Sequence, residues 1–345
     1  FYEELKRLNI KIIRPDINHC YADFRNDDDN FYYALGGIKA VGYEAISNIV
    51  NERIKNGKFK TIDDFLNRVN PKDINKLQLE GLVKAGAFDN LNANRQSLFK
   101  SIPNFIMKNK NIFENKSANQ IELFSDTDVQ EKNIVNPISD WNFEEKLSKE
   151  FEAVGFYISD HPLNQFKEIF NDYKIINFQL FNSDNLIKEA NIAATLLKMQ
   201  EKKTAKGNSY AILKLTDLSS VFEIFIFSDT LELNRNILKE GNSLILTILK
   251  STSNEENRFR RINVQKIASL KDLFNNPISE VIFDLKSLNE LEEVSKMIIK
   301  PGNTMININI KNKEIGLNFK LENKRNLDRK TLNLLRNKEI SAIIK

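Results

Sequence analysis

The chain has 345 residues, a length that points to about two to four domains rather than one. Hydrophobic residues make up 41% and charged residues 28%, enough apolar material for ordinary buried cores, and no run of about 18 apolar residues is present to form a membrane-crossing helix. One cysteine (Cys20) and two distant histidines (His19 and His161) exclude an intrachain disulfide and argue against a structural metal cluster, while a net charge of +4 is too mild to identify a partner.

In chain order, residues 1–34 open with a helical pattern from Tyr2 to Leu8 and continue as an extended segment, Ile10 to Asn18. Phe1 to Lys6 is neither a Met start nor a signal peptide and reads as the interior of a longer chain. The run Asp27-Asp28-Asp29-Asn30 has the composition of a solvated turn, although neighbouring carboxylates also suit Mg²⁺. Residues 35–105 read as short helices joined by tight glycine turns, with Thr61 as an N-cap and Asp63 and Asp64 in the following first turn.

From residue 101, Asn, Lys, Ser and Asp dominate, and the stretch to 140 reads as a poorly ordered linker. Helical spacing returns at 141–174 through Trp141, Phe143, Leu147, Phe151 and Val154. Residues 175–270 carry five strand candidates: Ile192–Met199, Ser209–Thr216, Val221–Phe227, Ser243–Lys250 and Arg260–Ile267. A helical piece lies between the third and fourth, the order of an OB-fold β-barrel. Residues 271–345 suit a small α/β domain, with strands at Val281–Leu285, Met305–Ile310 and Ile315–Leu321 and helices at Leu288–Ile299 and Asp328–Arg336. The fold class expected is multidomain α+β.

Three stretches carry chemistry. Ile38 to Gly42 and Leu82 to Gly86 each place apolar residues, a lysine and a glycine in the pattern of a helix-hairpin-helix, whose turn and following helix present backbone N–H groups to a phosphate without reading a base. The duplex-binding residues expected are Lys39, Val41, Gly42, Lys84 and Gly86, with Ala40 standing where such a hairpin usually has its first glycine. An ordinary αα turn capped by glycine has the same pattern.

Gln120-Ile121-Glu122-Leu123-Phe124 is an apolar island in a polar stretch. It is either a stray core contact or a linear motif that docks in a partner's groove. Burying its three apolar side chains would give about 1.5–3 kcal/mol each, less the ordering cost, which suits a roughly micromolar contact.

The five-stranded region has a basic first loop (Lys202, Lys203, Lys206), a basic fifth strand (Arg258, Arg260) and two stacking candidates, Tyr210 and Phe225. This pattern suits a single strand of nucleic acid, and Glu223 on the same face works against it. Ser159, Asp160 and His161 are adjacent, and neighbours in sequence rarely converge as a triad, so they read as a turn.

Taken together, Arg14 to Asn18, Ala34 to Gly42, Leu82 to Asp89, Gly155 to Leu163 and Lys203 to Asp217 resemble the C-terminal part of the alpha subunits of bacterial DNA polymerase III, the family C replicative polymerases. The resemblance implies the end of the fingers at 1–34 and a tandem helix-hairpin-helix domain at 35–105. It also implies a sliding-clamp motif at Gln120, Ile121, Leu123 and Phe124 in a linker (106–140), a helical connector (141–174), an OB-fold near the template single strand (175–270), and a C-terminal domain that contacts the tau subunit of the clamp loader (271–345). It further implies a cytoplasmic setting and no cofactor in this chain, with the Mg²⁺-binding palm carboxylates of the full DNA-directed DNA polymerase lying upstream of Phe1. The alternatives are a stand-alone OB-fold protein that binds single-stranded nucleic acid, and a nuclease or ligase carrying an OB domain.

Overall fold

A computed structural model describes residues 5, 8–27, 29–117, 135, 137–205, 207–251, 261–311 and 316–344. The chain divides into two compact units, Phe1–Pro162 and Leu163–Lys345. Among the described residues no helix is long and apolar enough to cross a membrane.

The first unit begins with a small sheet of β1 (Lys11–Ile13), β2 (Arg25–Asn26) and β3 (Asn30–Tyr32), in the order β1-β3-β2. Asp27 closes the β2–β3 turn. Its carboxylate accepts from the Tyr32 hydroxyl (2.7 Å) and from the backbone and side-chain N–H groups of Asn30 (2.7 and 2.9 Å), and the Tyr32 hydrogen bond leads in lowering its pKa to about 2. The acidic run is therefore a hydrogen-bonded turn, with Asp28 outside the described residues.

Five α-helices follow: α1 (Tyr43–Asn56), α2 (Ile62–Arg68), α3 (Lys76–Lys84), α4 (Arg95–Ser117) and α5 (Phe143–Val154). The caps are local. Thr61, Asn75 and Asn142 each accept from the backbone N–H three residues on, and Gly155 ends α5 at φ 89°. The core buries Leu35, Ile38, Ile46, Phe59, Phe65, Leu82 and Leu98. The segment before the helices is locked to it by polar contacts. Asn18 both donates to and accepts from the Phe59 backbone (2.8 Å each), and the Arg53 guanidinium donates to the Ile17 and Cys20 carbonyls (2.7 Å each).

The linker expected from residue 101 is corrected here, because α4 continues to Ser117. Leu98, Ile102 and Phe105 form a buried stripe, and the buried Asn109 amide donates to the Leu66 and Val69 carbonyls (2.7 and 2.8 Å). Polar residues that pack inward concealed this helix from a composition argument.

Cys20 lies in the same core, and burial leads in pushing its thiol up to about 12. The folded pKa exceeds the unfolded one, so the stability from the neutral thiol is complete below about pH 8.5 and erodes as pH rises toward the folded value. Iodoacetamide at pH 8 is expected to spare native Cys20 and label it in urea. Equal labelling rates by mass spectrometry would refute the buried placement.

The second unit holds β4 (Ile175–Ile176), α6 (Phe178–Ser183), β5 (Glu189–Lys203), β6 (Ser209–Thr216), β7 (Val221–Phe227), α7 (Ser228–Asn234), β8 (Ser243–Ser251) and β9 (Arg261–Ser269). The sheet order is β7-β6-β5-β8-β9, with β4 parallel to β5. All five expected strands and the helix between the third and fourth are present, but the sheet is not closed into a barrel: among the described residues no pairing joins β7 to β9.

After α8 (Leu270–Asn275), a second sheet is built from β10 (Glu280–Leu285), β11 (Pro301–Lys311), β12 (Gly316–Lys320) and β13 (Ser341–Ile344), in the order β12-β11-β10-β13. Two helices, α9 (Leu288–Met297) and α10 (Arg329–Asn337), pack on it through Val294, Leu332 and Leu335. Asp172 ties this part to the segment ahead of the first sheet, meeting Arg336 at 2.6 Å and Arg329 at 3.5 Å.

Candidate nucleic-acid interface

The first hairpin is a short 3₁₀ turn (Leu35–Gly37), the loop Ile38–Gly42 and then α1. Ile38 and Val41 point into the core, while Lys39 and Gly42 are exposed. Ala40 sits at φ 66°, the left-handed region that glycine tolerates and alanine adopts at a cost of about 1–2 kcal/mol. The turn thus keeps its shape despite the replaced glycine.

The fold holds this strained residue in place on both sides. The Lys39 N–H donates to the Ala153 carbonyl (2.9 Å), the Val41 N–H donates to the Ile38 carbonyl (3.1 Å), and Gly81 of α3 lies so close that an added Cβ would sit 2.7 Å from the Lys39 carbonyl oxygen. Gly42 differs. Its φ is −74° and a Cβ there would meet nothing within 4 Å, so the fold itself does not require glycine. It starts a 14-residue helix that has no side-chain cap, so its first-turn N–H groups have no side-chain acceptor at the N-cap, and Lys39 is exposed three residues ahead.

The second turn is a correction. Lys84 is only 14% exposed, and its ammonium binds Glu152 (Nζ–Oε1 2.8 Å), holding that carboxyl below the usual range. Gly86, at φ 80°, is buried, and an added Cβ would sit 2.2 Å from the Arg95 guanidinium. Arg95 itself donates to Asp89 through Nε and Nη2 (2.8 and 2.7 Å), to the Lys84 carbonyl (3.1 Å) and to Glu150 (3.5 Å). Burial opposes its charge, and the Asp89 and Glu150 carboxylates outweigh that and raise its pKa. Glu150 is fully buried and also accepts from the Ile158 and Ser159 N–H groups (2.8 Å each). The second turn is thus filled by its own chain, and Ser159 serves as a backbone donor. Sequence reading missed Gly81, Arg95 and Glu150, since none belongs to a spaced pattern and their roles arise from distant segments meeting.

In the second unit, strand register sets out a surface. On β7, Phe222, Ile224 and Ile226 face the core, and Val221, Glu223, Phe225 and Phe227 face outward. Across the sheet, Lys202, Tyr210 and Phe227 form one row, and Gln200, Ile212 and Phe225 the next. Tyr210 and Phe225 lie 6.5 Å apart at 29°, and Phe225 is 49% exposed. A groove of about 660 Å³ runs over them, lined also by Lys203, Thr204, Glu223 and Phe227. The structure therefore brings Lys203, Tyr210 and Phe225 together, places Lys202 in the row of Tyr210, and adds Phe227, which alternation along β7 already implied. Lys206, Arg258, Arg260 and the island Gln120, Ile121, Leu123 and Phe124 lie outside the described residues.

Comparison with known proteins gives the family. A helix-hairpin-helix motif family matches residues 9–98. DNA polymerase III subunit alpha of Borreliella burgdorferi is 29% identical over 85% of this chain and 26% of its own length. The protein of the same name from Rickettsia bellii is 30% identical over 91% of this chain and 29% of its own length. This chain belongs to the bacterial DNA polymerase III alpha family. A third alpha subunit, from Campylobacter jejuni, is 31% identical over 70% of this chain. The chain spans about a quarter of the length of these polymerase III alpha relatives. The first hairpin lies inside the region matched by the helix-hairpin-helix motif, as does the inward-packed second turn.

Proposed function

We propose that this chain is the C-terminal, DNA-retaining part of a polymerase III alpha subunit, and that its first hairpin holds duplex DNA by the sugar–phosphate backbone. The observation that carries the reading is the open α1 terminus at Gly42, within a matched helix-hairpin-helix region. A phosphate there would accept from first-turn N–H groups with the Lys39 ammonium alongside. The contact would be independent of sequence and sensitive to salt.

Lys39→Glu is expected to weaken duplex binding about equally for unrelated sequences and to flatten its salt dependence by about one phosphate contact. Lys84→Glu would disturb folding rather than binding, because Lys84 is an internal partner. Unchanged duplex affinity in folded Lys39→Glu protein, measured by fluorescence anisotropy at low salt, would move the grip elsewhere.

The five-stranded sheet has the strand order of an OB-fold, and its aromatic and basic face favours a single-stranded template segment as its ligand. A stand-alone single-strand-binding protein would use the same face, and the alpha relatives favour the polymerase context. Gln120 to Phe124 would tether the chain to the sliding clamp, and residues 271–345 would meet the tau subunit of the clamp loader in the cytoplasm. The full subunit would perform template-directed DNA synthesis with Mg²⁺. Among the described residues, the Asp27 carboxylate is engaged in its own turn.

A further inference from the structure

Glu223 is a carboxylate facing outward on β7 in the groove that holds Lys203 and Phe225, where a bound phosphate chain would be repelled. Another carboxylate of this sheet, Glu201, is neutralised by Arg235 at 2.5 Å. Glu223 has no such partner: Lys214 stands opposite it on β6, yet among the described residues no ion pair or hydrogen bond engages the Glu223 carboxylate. A free acceptor-only group in a stacking groove fits one part of a nucleic acid, the hydrogen-bond-donating edge of a base.

Geometry supports this. Residues two apart on a strand share a face about 7 Å from each other, so a base lying flat on Phe225 would bring its edge within hydrogen-bond reach of Glu223. Of the four bases, guanine presents two adjacent donors, N1–H and the N2 amine, which match the two oxygens of a carboxylate. Thymine offers one donor, and the donors of cytosine and adenine sit next to an acceptor that would oppose a carboxylate oxygen.

We infer that this groove prefers guanine in a single strand, with Phe225 stacking the base and Glu223 accepting from its N1–H and N2 amine. The inference rests on the single-strand reading of this sheet given above.

The test uses the complete chain and labelled single strands of about 12 nucleotides, within the site size of such sheets. Alternating dT–dG is expected to bind about 5- to 10-fold tighter than oligo-dT, the low end for a bidentate base contact because the groove is open to water. Alternating dT–deoxyinosine, which lacks the N2 amine, should fall between. Glu223→Ala should bind oligo-dT more tightly than the parent, since a repulsive charge is gone, and should lose the guanine preference. A merely structural Glu223 would not produce those opposite movements. Equal binding of all strands by the parent chain, or a preference that survives Glu223→Ala, overturns the inference while leaving the single-strand reading intact. If no strand binds at modest salt, both readings fall.

Discussion

Arg95→Ala is expected to destabilise the first unit by about 3–5 kcal/mol, the cost of removing one partner from a buried charge pair. Arg95 is 4% exposed at the side chain and Glu150 is fully buried, so the deletion would leave the Glu150 carboxylate without its cation, satisfied only by the Ile158 and Ser159 N–H groups. The Lys84 carbonyl at the end of α3 would lose a donor as well. Asp89 is 40% exposed, so its two hydrogen bonds to Arg95 contribute less than their geometry suggests, and water can replace them. Urea unfolding monitored by far-ultraviolet circular dichroism measures the change. The Glu150→Gln variant should be milder, because an amide oxygen still accepts from the two N–H groups and Arg95 keeps the Asp89 carboxylate as its counter-ion. A loss under about 1 kcal/mol for Arg95→Ala would mean that water reaches this site and that the ion pair does not hold α3, α4 and α5 together.

The second large effect concerns the apolar island. Replacing Gln120, Leu123 and Phe124 together by alanine is expected to reduce clamp binding by at least about 100-fold, since two buried apolar side chains of about 1.5–3 kcal/mol each would be lost. Folding should be unchanged, because the motif reading puts these side chains in the partner's groove rather than in this chain's core. Surface plasmon resonance against the cognate clamp reads the affinity, and thermal unfolding checks the fold. If the triple variant binds the clamp like the parent, the tether lies elsewhere in the chain. If it unfolds, the island is a core contact. A weak clamp contact and a weak duplex contact on one polypeptide would reinforce each other through effective concentration, so losing either should shorten residence on clamp-loaded DNA by more than its separate affinity implies.

Local signals were the legible ones. Thr61 before Asp63 and Asp64 announces the cap of α2, and alternation along Val221–Phe227 gives the inward and outward faces of β7 before any partner strand is known. The small residues and lysine around Gly42 mark an exposed turn, and the structure keeps that turn even with Ala40 at a positive φ. These features depend on a few neighbouring residues, and each is settled by backbone sterics or side-chain period.

Other outcomes needed distant segments to meet. Leu82 to Gly86 has the same local pattern as Ile38 to Gly42, yet it is sealed by Glu152 of α5 and Arg95 of α4, residues that no spacing rule connects to it. The helix through Ser117 depends on Asn109 finding the open carbonyls of Leu66 and Val69, so a polar residue that looked like linker is a buried anchor. Strand order, and the absence of β7–β9 pairing among the described residues, likewise follow from pairing across the unit. The sequence by itself determined where turns, caps and strand faces fall, because those energies are local. Only the tertiary structure decided which of two similar turns stays exposed, because that depends on which charges the rest of the chain brings against each one.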